Sequence, residues 1–217
     1  WGLFAVVGVD IRSSLELSQT AFGLLLASPM LFGALLCVPV GMLAERWGGK
    51  RAMLACLVAL APVLLWLSFA RSFSGYLVAG AGLGFAAGLF CAGLPYTAIF
   101  SRSGREGFSL GLFGSGMLGA GITYLVAPMA AEAYGWRTAP LIYTVLVLVV
   151  ALLFWMMAED DAPERAGQRN AVREQLSTLV QPQVWQLCLY YSFVFGGFVA
   201  LVLWLPDYMA AHYGIPL

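Results

Sequence analysis

The chain has 217 residues, 61% of them hydrophobic and only 10% charged, with 25 glycines and 14 phenylalanines and a mean hydropathy of +0.86. Soluble domains hold about 45–50% apolar and about 25% charged residues. A water-soluble enzyme is therefore excluded, because no soluble fold of this size could hide so much apolar side chain. Eleven basic and eleven acidic residues cancel, which leaves no global basic patch for nucleic acid.

Apolar runs bounded by charge or turn residues fall at 1–10, 20–43, 52–70, 74–100, 108–130, 137–158 and 184–206. A membrane-crossing helix needs about 20 residues. The first run is too short and reads as the outer end of a span whose start is missing. Because the chain begins at Trp1 inside apolar sequence, it is expected to be a fragment of a longer polytopic membrane protein. The other six runs are long enough to cross. Pro29, Pro39, Pro62 and Pro95 lie within them; such prolines would break soluble helices, but a membrane bundle can satisfy the freed carbonyls.

The longest polar stretch, Glu159 to Pro182, carries Asp160, Asp161, Glu164, Arg165, Arg169, Arg173 and Glu174. It reads as a cytoplasmic linker, with a surface helix around 170–180. The expectation is thus an all-α polytopic transmembrane helix bundle: a six-helix half over 1–158 with its first helix truncated, a linker over 159–183, and a seventh helix over 184–217 that opens a second half. Eight of the eleven basic residues (Arg46, Lys50, Arg51, Arg102, Arg105, Arg165, Arg169 and Arg173) fall on one side of this arrangement, against Arg12, Arg71 and Arg137 on the other. The positive-inside bias puts the richer side in the cytoplasm, so Asp10–Gln19, Arg71–Phe73 and Glu132–Trp136 are expected to face outward.

No acidic, basic or histidine side chain lies in the middle of a full span, which speaks against a proton relay through a buried carboxylate in this part of the protein. Asp10 and Asp207 read as solvated or helix-terminal acids at outer ends. Cys37, Cys56, Cys91 and Cys188 show no CxxC spacing and read as small apolar packing residues, without metal or disulfide. Glycines crowd two spans: Gly80, Gly82, Gly84 and Gly88, then Gly107, Gly111, Gly114, Gly116, Gly119 and Gly121. Gly33, Cys37 and Gly41 form a further stripe of small residues. Small residues four apart let membrane helices approach closely, so these glycines are expected to serve helix packing or sliding.

After the second span the sequence reads Gly41-Met-Leu-Ala-Glu45-Arg46-Trp-Gly48-Gly49-Lys50-Arg51. This resembles the loop signature between the second and third helices of the major facilitator superfamily, with Glu45 where aspartate is usual. The resemblance implies that Gly41, Glu45, Arg46, Gly48, Lys50 and Arg51 form a loop that locks one conformer against the opposite half.

A closer resemblance, over nearly the whole chain, is to the nitrate/nitrite porter branch. It is carried by Leu17-Ser18-Gln19-Thr20 with Gly33 to Gly41, by Phe90-Cys-Ala-Gly-Leu-Pro95 with Gly111-Leu-Phe-Gly114-Ser-Gly116-Met117-Leu-Gly119, and by Tyr190-Tyr191 with Phe195-Gly196-Gly197-Phe198 and Leu205-Pro206. It implies that Cys37, Phe90, Met117, Tyr190 and Tyr191 line the substrate path, and that Gly111, Gly114, Gly116 and Gly119 form the fifth-helix packing signature. Two residues depart from the branch. Cys37 stands where it has an anion-binding arginine, and Met117 where it has an asparagine. A thiol and a thioether cannot supply the bidentate charge-assisted bonds of a guanidinium.

The function expected from the resemblance is secondary transport of a small solute by alternating access between two six-helix halves. The two departures point to a larger organic anion or a less charged solute as the alternative cargo. The implied partners are the solute, the lipid bilayer and the missing C-terminal half, with no cofactor. Direct ATP use lacks its GxxxxGK[ST] signature. An intramembrane enzyme would need a base near Ser115 of Gly114-Ser115-Gly116, yet the only histidine, His212, falls beyond the seventh span. A seven-helix receptor fits the number of spans but not the placement of the motifs.

Overall fold

The computed structural model describes residues 2–101, 104–160 and 180–213. Nine α-helices make up these residues: α1 (Gly2–Leu15), α2 (Gln19–Trp47), α3 (Gly49–Phe69), α4 (Phe73–Leu83), α5 (Phe85–Ile99), α6 (Glu106–Gly114), α7 (Leu118–Tyr134), α8 (Thr138–Met157) and α9 (Pro182–Tyr213), with a 3₁₀ turn at Ser115–Met117 between α6 and α7. Among the described residues there is no strand. Six helical segments are long and apolar enough to cross a membrane: Gln19–Trp47, Gly49–Phe69, Phe73–Ile99, Glu106–Ala131, Thr138–Met157 and Pro182–Val202. Their centres coincide with the six long apolar runs. Most of the expected linker, including the surface helix around 170–180, lies outside the described residues.

The chain divides into two compact units, Trp1–Ala166 and Gly167–Leu217. In the first, α3 packs along α8 and α5, α2 runs against α4 and α5, and α1 contacts α7 and α2. The junction of α2, α3 and α5 buries Val40, Ala44, Ala52, Cys56 and Ala92, flanked by Met53, Phe85 and Leu89. The second unit contains α9.

Along α8, burial runs opposite to that of a helix in a soluble bundle. In α8, Ala139, Pro140, Thr144 and Ala151 are buried, while Val145, Leu146, Leu152, Leu153, Trp155 and Met156 are exposed. Large apolar side chains facing outward need lipid as their solvent, and small residues inside let backbones meet. Buried hydroxyls are satisfied within their own helices, Thr144 Oγ1 donating to Pro140 O at 2.8 Å and Ser28 Oγ to Leu25 O at 2.8 Å. Such closure is required where no water is present to accept the bond.

Three features differ from the sequence expectation. The first helix continues to Leu15, past Asp10 and Arg12, which had been placed in an outward-facing loop. Arg12 is anchored there, donating to Gln19 Oε1 at 2.9 Å and lying 5.1 Å from the centre of the Phe22 ring. The fourth span is divided at Gly84 between α4 and α5. The fifth is divided by the turn at Ser115–Met117, where the Ser115 hydroxyl donates to Leu112 O at 2.6 Å. The prolines at 29, 39, 62 and 95 all lie inside helices, and none separates two elements.

Candidate functional site

The loop after α2 is shaped by Gly48. Its φ of 92° and ψ of 151° belong to a region open essentially to glycine alone. Its N–H caps α2 by donating to Ala44 O at 2.9 Å, and α3 begins at the next residue. Gly49 is buried beneath Tyr96: a methyl at this position would lie 2.8 Å from Tyr96 Cβ. The Tyr96 hydroxyl donates to Glu159 O at 2.7 Å, and Lys50 Nζ stands 3.9 Å from Asp160 Oδ1. One end of the bundle therefore ties the α2–α3 turn to the residues that follow α8. Glu45, Arg46 and Arg51 are exposed. Gly41 was expected to permit close helix contact, but a methyl there would meet nothing within 4 Å.

Deeper in the first unit, α2 and the fourth span touch backbone to backbone. A methyl on Gly84 would lie 2.7 Å from Gly33 N, and one on Gly33 would lie 2.9 Å from Ala87 Cβ. One turn further along, Cys37 Sγ sits 3.9 Å from Ala87 O. Cys56 reaches the same place from α3, its sulfur 3.2 Å from where a methyl on Gly88 would stand. Phe90 is half-buried, and its ring lies 5.6 Å from that of Phe113 on α6. Met117 is half-buried at the end of the 3₁₀ turn, one turn beyond Phe113.

The fifth-span glycines do not pack as expected. Gly111, Gly114, Gly116 and Gly119 have nothing within 4 Å of an added methyl, whereas Gly33, Gly82, Gly84 and Gly88 are all in close contact. The close glycine contacts of this unit join the fourth span both to the second, at Gly33 and Gly84, and to the third, at Gly82 against Val63 and Gly49 against Tyr96. In the second unit, Tyr190 and Tyr191 are both exposed on α9, and the Tyr191 ring stacks on Phe195 at 5.2 Å. Sequence reading did not single out Phe113 or Tyr96, and took Cys91 only as a packing residue. Tyr96 adjoins Pro95, but no spacing rule predicts its partners on other helices.

A family model described as the Major Facilitator Superfamily matches residues 1–217. The chain belongs to the major facilitator superfamily. Its relatives include the Thermus thermophilus protein named "Probable nitrate/nitrite antiporter NarK1", 32% identical over all of this chain and 52% of its own length. The Bacillus subtilis "Nitrite extrusion protein" is 29% identical over 99% of this chain and 54% of its own length. The Mycobacterium tuberculosis "Probable nitrate/nitrite transporter NarK2" is 30% identical over 99% and 55% respectively. The chain thus spans about half the length of the curated relatives it matches. No solved structure gives a significant match. As a major facilitator chain with six helical segments long and apolar enough to cross a membrane, it is a multi-pass integral membrane protein. The names of these relatives do not favour an organic anion or an uncharged solute as cargo.

Proposed function

We propose that the full-length protein is a secondary transporter that moves nitrate or nitrite by alternating access. The observation that carries this reading is the similarity, along the entire chain, to relatives named for nitrate and nitrite. In this reading residues 1–158 form one half, 159–183 the cytoplasmic linker, and α9 the first helix of a second half. The site lies near the middle of the membrane between halves, as in other repeat-built transporters. Cys37, Phe90 and Met117 are the candidate lining residues of the first unit; Tyr190 and Tyr191, exposed on α9, are candidate hydroxyl donors to the solute. Because Cys37 and Met117 bring no charge, the cation that pairs with the anion comes from beyond this chain. Such charge-assisted bonds contribute about 1.5–3 kcal/mol each, so one well-placed guanidinium suffices for selective but modest affinity.

The loop from Gly41 to Arg51 faces the cytoplasm and acts as a conformational latch. Gly48 supplies the turn, Lys50 holds the root of the linker, and Glu45 and Arg46 reach toward the second half. The open glycines Gly111, Gly114, Gly116 and Gly119 present a smooth surface past which a partner helix slides. Uptake of nitrate and nitrite by proteoliposomes containing the full-length protein tests the proposal. Saturable uptake of either anion is expected; uptake of neither refutes it.

A further inference from the structure

Phe113 keys α6 into α5, the helix along which α6 packs. The glycines of α6 take no part in this, since Gly107, Gly111 and Gly114 leave open space around an added methyl. At Gly93 of α5, which is buried, an added methyl would collide with Phe113 Cζ and lie 2.8 Å from Phe113 Cε2. Met53 of α3 reaches the same notch, its Cε 3.3 Å from that point. The far end of the Phe113 ring thus fills a space that exists only because residue 93 has no side chain. Three residues earlier in the sequence, and so on the same face of α5, stands Phe90. Its ring is 5.6 Å from that of Phe113 and inclined to it by 33°, an attractive aromatic pairing. Both rings are half-buried, and Phe113 comes just before the break at Ser115–Met117.

We propose that Phe113 is a positioning residue for solute binding: seated in the Gly93 notch, its ring fixes the orientation of Phe90. The inference rests on the proposed transport function, in which Phe90 is a candidate lining residue. Neither ring carries a charge, so what Phe113 supplies is placement. A phenyl ring has a negative face and a positive edge, and its orientation therefore decides how an anion meets it. A half-buried ring without a neighbour to pack on samples several orientations and must be ordered when the solute arrives. Fixing it beforehand removes that cost and tightens binding. The notch also dictates the residue type. A hydroxyl on Cζ would point into Gly93, so tyrosine does not fit where phenylalanine does, and a leucine is too short to reach the bottom.

The test uses full-length protein in proteoliposomes, with KM and maximal rate of nitrate uptake measured separately. Phe113→Leu should raise KM roughly two- to tenfold, the scale of an aromatic pair, with little change in maximal rate. Gly93→Ala, which drives the ring out of its notch, should raise KM by a similar factor. In the double variant Gly93→Ala/Phe113→Leu the methyl fills space that the shorter side chain vacates, so the melting temperature should recover while KM stays high. In a Phe90→Ala background, Phe113→Leu should add nothing to KM. An unchanged KM for Phe113→Leu overturns the positioning role. So does a KM that recovers along with the melting temperature, or an equal rise with and without the Phe90 ring, since each marks Phe113 as packing alone. A second readout needs no solute: with 4-fluorophenylalanine at position 90, the fluorine resonance should shift on Phe113→Leu as the neighbouring ring current is lost. A resonance that ignores the substitution overturns the ring pairing whatever the cargo proves to be. Failure of the native protein to take up nitrate or nitrite counts against the transport reading alone, because the fluorine signal still decides the pairing.

Discussion

Replacing Gly84 with alanine puts a methyl where α2 and the fourth span are already in backbone contact. The added carbon would lie 2.7 Å from Gly33 N, 2.9 Å from the Phe32 carbonyl carbon and 2.9 Å from Ala81 O. An ordinary heavy-atom contact is about 3.5 Å, so the helices must part by roughly 0.8 Å. None of these three atoms belongs to a flexible side chain that could swing away. The separation therefore spreads along the interface and loosens Cys37 against Ala87. Overpacking of this kind costs about 1–3 kcal/mol, and in lipid, helix association depends on such packing because there is no hydrophobic drive to replace it. The shift per kcal/mol shrinks with chain length and is about 2–4 °C at 150–250 residues, so in the longer full-length protein the melting temperature should fall by a few degrees. A fluorescence melt of the detergent-solubilised full-length protein measures it. Gly107→Ala serves as the control, since a methyl there meets nothing within 4 Å, and should not lower the melting temperature. Equal melting of Gly84→Ala and the native protein would refute the close approach of the two spans.

Gly48→Ala should destabilise by about 1–3 kcal/mol, because a φ of 92° is strained for any residue with a Cβ; an unchanged melt would show that the turn can be remade without it. Glu45→Ala should shift the balance between inward-open and outward-open states, read by accessibility labelling, while substrate preference stays the same; altered preference with unaltered accessibility would contradict the latch. Single cysteines introduced at Ser72 and Gln168 in a background lacking the native four should label from opposite faces of sealed vesicles. Labelling of both from one face would overturn the orientation. Tyr143→Phe removes the 2.9 Å bond to Thr123 Oγ1, and because Thr123 still donates to Gly119 O, the loss should stay below about 1 kcal/mol.

Span positions were legible in the sequence because crossing a bilayer demands length and apolarity together, and both are local properties of the chain. The loop from Gly41 to Arg51 was legible for a similar reason: a tight turn needs a glycine at one position, and Gly48 occupies it with positive φ. Faces were not legible. These spans are apolar all round, so no amphipathic stripe marks which side meets protein and which meets lipid. Gly84 and Gly116 therefore look alike in the sequence, yet one touches Gly33 and the other stands open. The breaks at Gly84 and at Ser115–Met117 were hidden too, because a glycine permits a break without requiring it. Cys37 and Ala87, 50 positions apart in the sequence, became neighbours only when α2 was laid against α5. Contacts between helices depend on how the whole bundle closes, and only the tertiary structure decided that.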